Sequence, residues 1–141
     1  MKNILVINGP NLNLLGKREP VLYGSQDFSE VLDELKSDFP DCTISYFQSN
    51  NESELINALH AAADSGIEGA VFNPAAFTHT SIALADAVAA IDLPVVEVHI
   101  SNIYGREDFR QKSYISKYAA GVIAGFGVAG YRLAVSYLVR S

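Results

Sequence analysis

The chain has 141 residues, of which 49% are hydrophobic and 18% are charged, and its formal net charge is −6. This composition supplies enough apolar material for a core and argues against intrinsic disorder, and the length suits one domain, residues 1–141. The negative charge disfavours nucleic acid or an anionic membrane as a partner, and the single cysteine, Cys42, excludes an intramolecular disulfide and a cysteine metal cluster.

Strand and helix patterns alternate along the chain. The continuous apolar run NILVIN, residues 3–8, predicts a buried first strand. Similar runs predict four more strands, at 42–48, 68–74, 94–101 and 119–125. Helical spacing of apolar residues predicts helices at 25–40, 51–66, 79–92 and 128–139. Residues 102–116 are predicted to form a polar connection with a short helical turn.

This alternation is typical of a parallel sheet covered on both faces by helices. Five strands in a chain of this length predict an α/β fold, a flavodoxin-like doubly wound parallel sheet with strand order 2-1-3-4-5. Such sheets bind ligands in the crevice beyond the carboxyl ends of the strands. The residues that follow each strand are therefore the first place to look for function.

Polar side chains collect beyond three of the predicted strands. The first strand is followed by Asn11, Asn13, Arg18 and Tyr23. The third strand ends in Asn73 and Pro74 and is followed by Thr78 and His79. The fourth carries Glu97, His99 and Ser101 and is followed by Arg106 and Arg110. Because these strand ends share one edge of the sheet, we expect the polar groups to converge on one site.

The stretch NGPNLNLLGKREPVLYG, residues 8–24, has no clean helical or strand period. Loops longer than about 12–15 residues are uncommon in compact domains and are usually functional or disordered. Six residues separate Gly9 from Gly16, where a P-loop has four, and the dinucleotide motif is absent. A phospho-receiver domain would need acidic residues in place of Asn8 and Asn73, and no G-x-S-x-G motif marks a catalytic serine.

Two sets of residues carry possible chemistry. Tyr23 lies five positions after Arg18, and neighbouring cations favour a tyrosinate that can act as a general base, although most loop tyrosines only pack.

Glu97 and His99 point to the same side of their strand, where buried polar groups are costly unless paired. With His79 they are zinc-ligating residue types, but the spacing of known zinc motifs is absent, and we expect no metal.

Five blocks in order resemble the type II 3-dehydroquinate dehydratase family: NGPNLNLLGKREPVLYG, FQSNNESELINALH, NPAAFTHTSIALADA, EVHISNIYGREDFRQKSYIS and GVIAGFGVAGYRLAV. The resemblance extends over residues 3–139. It implies a flavodoxin-like fold and anti elimination of water from 3-dehydroquinate through an enolate, giving 3-dehydroshikimate, in the shikimate pathway or in quinate catabolism. It also implies that no metal, Schiff base or organic cofactor takes part.

The resemblance assigns catalytic roles to five residues. It implies that Tyr23 removes the proton next to the ketone and that Arg18, on a mobile lid, helps to keep Tyr23 anionic. It implies that Asn11 positions a water against the enolate. His99 would protonate the departing hydroxyl, with Glu97 orienting the His99 ring.

The substrate-binding set implied by the resemblance is Asn73, His79, Asp86, Ile100, Ser101 and Arg110. The backbone amides of Ile100 and Ser101, with the Ser101 hydroxyl, would hold the carboxylate. His79 and Arg110 would bind the ring hydroxyls. Asn73 would help to hold His99, and Arg106 would lie near the catalytic tyrosine.

The resemblance also implies a homododecamer of four trimers, in which Asp86 reaches the site of a neighbouring subunit. Two departures from the family pattern bear on this expectation. Ala85 replaces a common arginine beside Asp86, so the trimer contact is expected to differ. Ala75 stands where glycine is common and requires either a negative φ or local strain.

Alternatives to an active dehydratase are a flavodoxin-like module that binds FMN or another small anion, and an inactive family member that serves as a scaffold. The first lacks support because no Ser/Thr-rich phosphate loop follows the first strand. The first apolar run is too short for a signal peptide, and the uncharged region at 118–131 is too short to cross a bilayer. We therefore expect a cytoplasmic protein.

Overall fold

The computed structural model describes residues 2–17 and 19–141. Its five strands form one parallel sheet in the order β2-β1-β3-β4-β5, which confirms the predicted topology. The strands are β1 (Lys2–Asn8), β2 (Cys42–Gln48), β3 (Gly69–Asn73), β4 (Val95–His99) and β5 (Gly121–Ala124). The α-helices are α1 (Pro20–Tyr23), α2 (Phe28–Asp38), α3 (Glu52–Asp64), α4 (Ile82–Ala90) and α5 (Ala129–Arg140).

Alternate residues of the central strands face opposite layers of helices. On β1, Ile4 and Val6 pack with buried residues of α2 and α5, whereas Leu5 and Ile7 pack with buried residues of α3 and α4. This two-residue period is the geometry of an extended strand that is buried on both faces. The helices therefore cover both faces of the sheet and leave its carboxyl edge open for a site.

Side-chain caps fix where three of the helices begin. Asp27 accepts a hydrogen bond from the Glu30 backbone N–H (3.1 Å), and Asn51 accepts from the Ser53 backbone N–H (2.9 Å). Ser81 caps α4 in the same way, so that α4 begins at Ile82 rather than at residue 79 as predicted. None of the helices in the described part of the chain is long and apolar enough to cross a membrane.

One-turn helices occupy several connections that the sequence pattern left irregular. The stretch after β1 contains a 3₁₀ turn at Leu12–Leu14 and the short helix α1, which begins at Pro20 because proline suits the first helical position. Three 3₁₀ turns lie between β4 and β5, where one short turn was predicted: Ile103–Gly105, Asp108–Gln111 and Ser116–Tyr118. Another, Ala75–His79, separates β3 from α4 and carries His79.

A buried hydrogen-bond network joins the sheet to the last helix. Asn8 and Asn73 are register partners at the ends of β1 and β3, and both are buried. The Tyr131 hydroxyl donates to Asn8 Oδ1 (2.8 Å) and accepts from Asn73 Nδ2 (2.9 Å). Tyr131 is fully buried, and burial raises the pKa of this phenol, so it stays neutral and able to donate.

Replacing Tyr131 with phenylalanine is expected to lower the free energy of unfolding by about 1–3 kcal/mol, because it leaves two buried amide groups without this partner. Urea denaturation at a fixed protein concentration measures the change. Tyr137→Phe, on an exposed position of α5, is the matched control and is expected to have little effect. Equal stability of the two variants would show that the network contributes nothing.

Candidate active site

A cleft lies at the carboxyl edge of the sheet, where the sequence predicted a site. Loops after β1, β3 and β4 form its walls. The residues that line it are Pro10, Asn11, Leu12, Tyr23, Asn73, Ala75, Ala76, His79, His99, Ile100, Ser101, Ile103, Arg106 and Arg110. A mostly polar lining with two histidines and two arginines suits a small anionic ligand.

Tyr23 is held against the cleft by an arginine from the opposite loop. Arg106 Nη1 donates to the Tyr23 hydroxyl (2.8 Å) and to Ser101 Oγ (3.3 Å). The guanidinium carbon lies 5.6 Å from the centroid of the Tyr23 ring. A cation in this position stabilises negative charge on the phenolic oxygen, which is the condition for a tyrosine to act as a base.

His99 is paired with a buried carboxylate. His99 Nε2 lies 2.5 Å from Glu97 Oε2, and both residues are buried on the same side of β4, as predicted. Burial alone raises the pKa of Glu97, but hydrogen bonds from His99, Ser116 and Ser113 outweigh it and hold the pKa below its usual value. Glu97 is therefore an anion at neutral pH and can stabilise positive charge on the His99 ring.

His79 lies beside this pair on the turn after β3. The two histidine rings are 6.3 Å apart, centroid to centroid, and His79 Nδ1 donates to the Lys112 carbonyl oxygen (2.7 Å). Burial is the main cause that lowers the pKa of His79, and the positive charges of His99 and Arg110 act in the same direction. His79 is thus neutral at neutral pH, with Nε2 left as a hydrogen-bond acceptor.

The loop after β1 is fixed by contacts to its neighbours. Asn11 adopts a left-handed conformation (φ 70°), and its backbone N–H donates to Asn50 Oδ1 (2.9 Å). Gly9 passes so close to the Pro74 backbone that an added Cβ would lie 2.5 Å from the Pro74 carbonyl oxygen. Only glycine permits this approach, which brings the loops after β1 and β3 together.

Ala75 has a positive φ of 53°. Of the two alternatives expected for this residue, a negative φ or local strain, the structure shows local strain. Its backbone N–H donates to Asn73 Oδ1 (3.0 Å), which holds the turn that lines the cleft. The left-handed region costs an L-residue about 1–2 kcal/mol. The strain therefore lies in the wall of the site.

Replacing Ala75 with glycine is expected to raise the free energy of unfolding by about 0.5–1 kcal/mol, because relief of the strained φ exceeds the added entropy of the unfolded chain. The control is Ala76→Gly, at a neighbouring residue without a positive φ, which is expected to destabilise by about 0.5–1 kcal/mol. Thermal unfolding of both variants gives the comparison. If the two variants were destabilised equally, the claim that the backbone of Ala75 is strained would be contradicted.

The structure brings most of the predicted site residues to this cleft, namely Asn11, Tyr23, Asn73, His79, His99, Ile100, Ser101 and Arg110. Glu97 does not line the cleft but lies behind His99. Asp86 is exposed on α4 and is not part of the cleft lining in the single chain. Arg18, predicted on the lid, lies outside the described residues.

Several residues that support the site were not predicted. Tyr131 bonds to the side chains of Asn8 and Asn73, and Ser113 and Ser116 bond to Glu97. One signal was available, since two asparagines that end adjacent buried strands need polar partners. No comparable pattern in the sequence points to the two serines.

Comparisons with known proteins show the family of this chain. A family model described as dehydroquinase class II matches residues 2–139. A protein named 3-dehydroquinate dehydratase from Nitrosomonas europaea is 53% identical, with 96% of this chain and 95% of the relative covered. One of the same name from Legionella pneumophila strain Corby is 51% identical, with 99% and 98% covered. The crystal structure of type II dehydroquinase from Propionibacterium acnes superposes with a TM-score of 0.95 at 41% identity, with 100% of this chain and 98% of that chain covered. The chain therefore belongs to the class II dehydroquinase family.

Proposed function

We propose that this chain catalyses the anti elimination of water from 3-dehydroquinate to give 3-dehydroshikimate, in the shikimate pathway or in quinate catabolism. One observation carries the proposal. A tyrosine hydroxyl bonded to an arginine and a histidine bonded to a buried carboxylate line the same cleft on different loops. A base and an acid on separate elements suit an elimination in which the proton and the hydroxyl leave from opposite faces.

The first step is removal of the proton next to the ketone by the Tyr23 oxygen. The C–H electrons move into the adjacent carbonyl group and form an enolate. Arg106 donates to the Tyr23 oxygen (2.8 Å), which places a cation beside the atom that takes the proton. Arg18 is proposed to help keep Tyr23 anionic. Asn11, on the loop after β1, would position a water that donates to the enolate oxygen.

The second step is loss of the hydroxyl group. The enolate collapses to the ketone, the new C=C bond forms, and the C–O bond breaks as His99 gives a proton to the departing oxygen. Because Nε2 of His99 is held by Glu97, Nδ1 is the nitrogen left to transfer the proton. The departing oxygen leaves as one water molecule. Tyr23 then releases to solvent the proton that it took, and His99 takes up a proton from solvent to replace the one that it gave.

Substrate binding is assigned to the rest of the cleft. The backbone N–H groups of Ile100 and Ser101, with the Ser101 hydroxyl, are proposed to hold the substrate carboxylate. The acceptor at His79 Nε2 and the Arg110 guanidinium are proposed to bind the ring hydroxyls, because a neutral His79 can accept where arginine only donates. Asn73 lines the same cleft and is proposed to help hold His99, while its side chain is bonded to Tyr131 and to the Ala75 backbone N–H.

We also assign Asp86 to the site of a neighbouring subunit in a homododecamer of four trimers. Its exposure on α4, outside the cleft of its own chain, supports this assignment. Residues 1–141 act as one catalytic domain in the cytoplasm under this proposal. Light scattering is expected to give a mass twelve times the chain mass of 15.2 kDa.

The test is the appearance of conjugated enone absorbance when the purified protein is mixed with 3-dehydroquinate. We expect turnover that persists in EDTA, since the proposed steps use protein side chains alone. A protein that binds 3-dehydroquinate without producing the enone would be a scaffold, and that result would refute the proposed activity.

A further inference from the structure

The carboxylate behind His99 has a second set of partners on a segment that the mechanism above does not use. Glu97 Oε1 accepts hydrogen bonds from Ser113 Oγ (3.0 Å) and from Ser116 Oγ (2.8 Å). Its other oxygen, Oε2, is bonded to His99. Both oxygens of this fully buried carboxylate are thus occupied by donors.

The direction of the Ser113 hydrogen bond is fixed by its other contacts. Ser113 Oγ accepts from the backbone N–H groups of Ile115 and Ser116, both at 3.1 Å. With its lone pairs engaged in this way, the hydroxyl hydrogen is left to donate to Glu97. The turn therefore holds the Ser113 hydroxyl in position as a donor to the Glu97 carboxylate, and it also fixes the backbone of Ser116.

The same segment contacts the turn that carries His79. The Lys112 carbonyl oxygen accepts from His79 Nδ1, and the Tyr114 backbone N–H donates to the Thr78 carbonyl oxygen (3.0 Å). Residues 112–116, which we call the serine turn, thus contact the supports of both histidines in the cleft.

We propose that Ser113 and Ser116 are positioning residues that hold Glu97 as an oriented carboxylate behind His99, and so set the pH range over which His99 can act as the acid. The inference rests on the proposed function of the cleft. Burial raises the pKa of Glu97, and His99 and the two serine hydroxyls lower it. Without the serine hydroxyls, His99 alone would oppose burial, and the protonated form of Glu97 would become more favourable. A neutral Glu97 would no longer stabilise positive charge on the imidazole ring.

Few charged groups in the described part of the chain act on the Glu97 carboxylate. His99 is its direct partner, and His79 lies next to His99 on the turn after β3. The positive charge of Arg110 acts on His79. The register partners of Glu97 on β3 and β5 are the uncharged residues Phe72 and Val122. The serine hydroxyls and His99 are therefore the groups that decide its charge.

The test compares the pH dependence of kcat in wild type, Ser113→Ala, Ser116→Ala and the double variant. Loss of the donors raises the pKa of Glu97, so the acidic limb of the profile is expected to move to higher pH, by about one unit in the double variant. Ser113→Thr and Ser116→Thr keep a hydroxyl and are expected to restore the wild-type midpoint. Ser45→Ala, on the exposed face of edge strand β2, is the matched control.

Infrared spectroscopy gives a readout that does not depend on turnover. The carbonyl band of a protonated buried carboxyl group is expected to persist to higher pH in the alanine variants and to be missing in Glu97→Gln. A folded double variant with an unshifted midpoint and an unshifted band would overturn the inference alone. A lower kcat without any shift would also overturn it, since a merely structural role predicts that result. Absence of enone formation by wild type would overturn the proposed function and this inference with it.

Discussion

Replacing Tyr23 with phenylalanine is expected to lower kcat for 3-dehydroquinate by about 10²–10⁴-fold, because the variant keeps the ring but loses the oxygen that takes the proton. The ring still lies under the Arg106 guanidinium, so substrate binding and KM are expected to change little. Initial rates of enone formation over a range of substrate concentrations separate the two constants.

The control for this variant is Tyr118→Phe, at an exposed tyrosine on the turn before β5, which is expected to leave kcat unchanged. Thermal unfolding shows whether both variants are folded. A Tyr23→Phe protein with a kcat near that of wild type would rule out Tyr23 as the base, whatever its KM.

Replacing His99 with alanine is expected to lower kcat by a similar factor, about 10²–10⁴-fold, because the departing hydroxyl loses its proton donor. The substitution also leaves Glu97 Oε2 buried without its hydrogen-bond partner, so a lower stability is expected as well. Added imidazole is expected to recover part of the rate, since the ring borders the open cleft.

His60→Ala is the matched control for the second variant, because His60 lies exposed on α3, away from the cleft. Its kcat is expected to equal that of wild type. If His99→Ala kept the rate of this control, the acid would have to be another residue of the cleft, and the assignment to His99 would be wrong.

The sheet and the place of the site were predictable because they depend on short-range pattern and on general geometry. Alternating strands and helices imply a parallel sheet, and the carboxyl ends of parallel strands share one edge. Asn11, Asn73 and His99 follow or end different strands, and that rule alone brings them to one cleft. The position of Glu97 and His99 on the same side of β4 followed from the two-residue period of a strand.

Other features were not predictable, because they depend on competing local interactions or on contacts between residues that are far apart in the chain. His79 has a helical pattern around it, but the Ser81 cap starts α4 three residues later and leaves His79 on a separate turn. The positive φ of Ala75 lies in a turn whose backbone N–H donates to Asn73 Oδ1, and no periodicity of the sequence indicates it. The contact between Asn8 and Tyr131 spans 123 positions, which no local pattern encodes.

The place of Tyr131 in the chain has a consequence for the order in which the site is assembled during synthesis. A nascent chain that has reached the end of β4 already contains Tyr23, Glu97 and His99, yet the two asparagines behind the cleft still lack their shared phenol. Because residues emerge from the ribosome in order, that phenol arrives with α5. The reactive groups are therefore synthesised before the helix whose tyrosine fixes the two asparagines behind the cleft. Activity is expected to appear only when this last helix has packed.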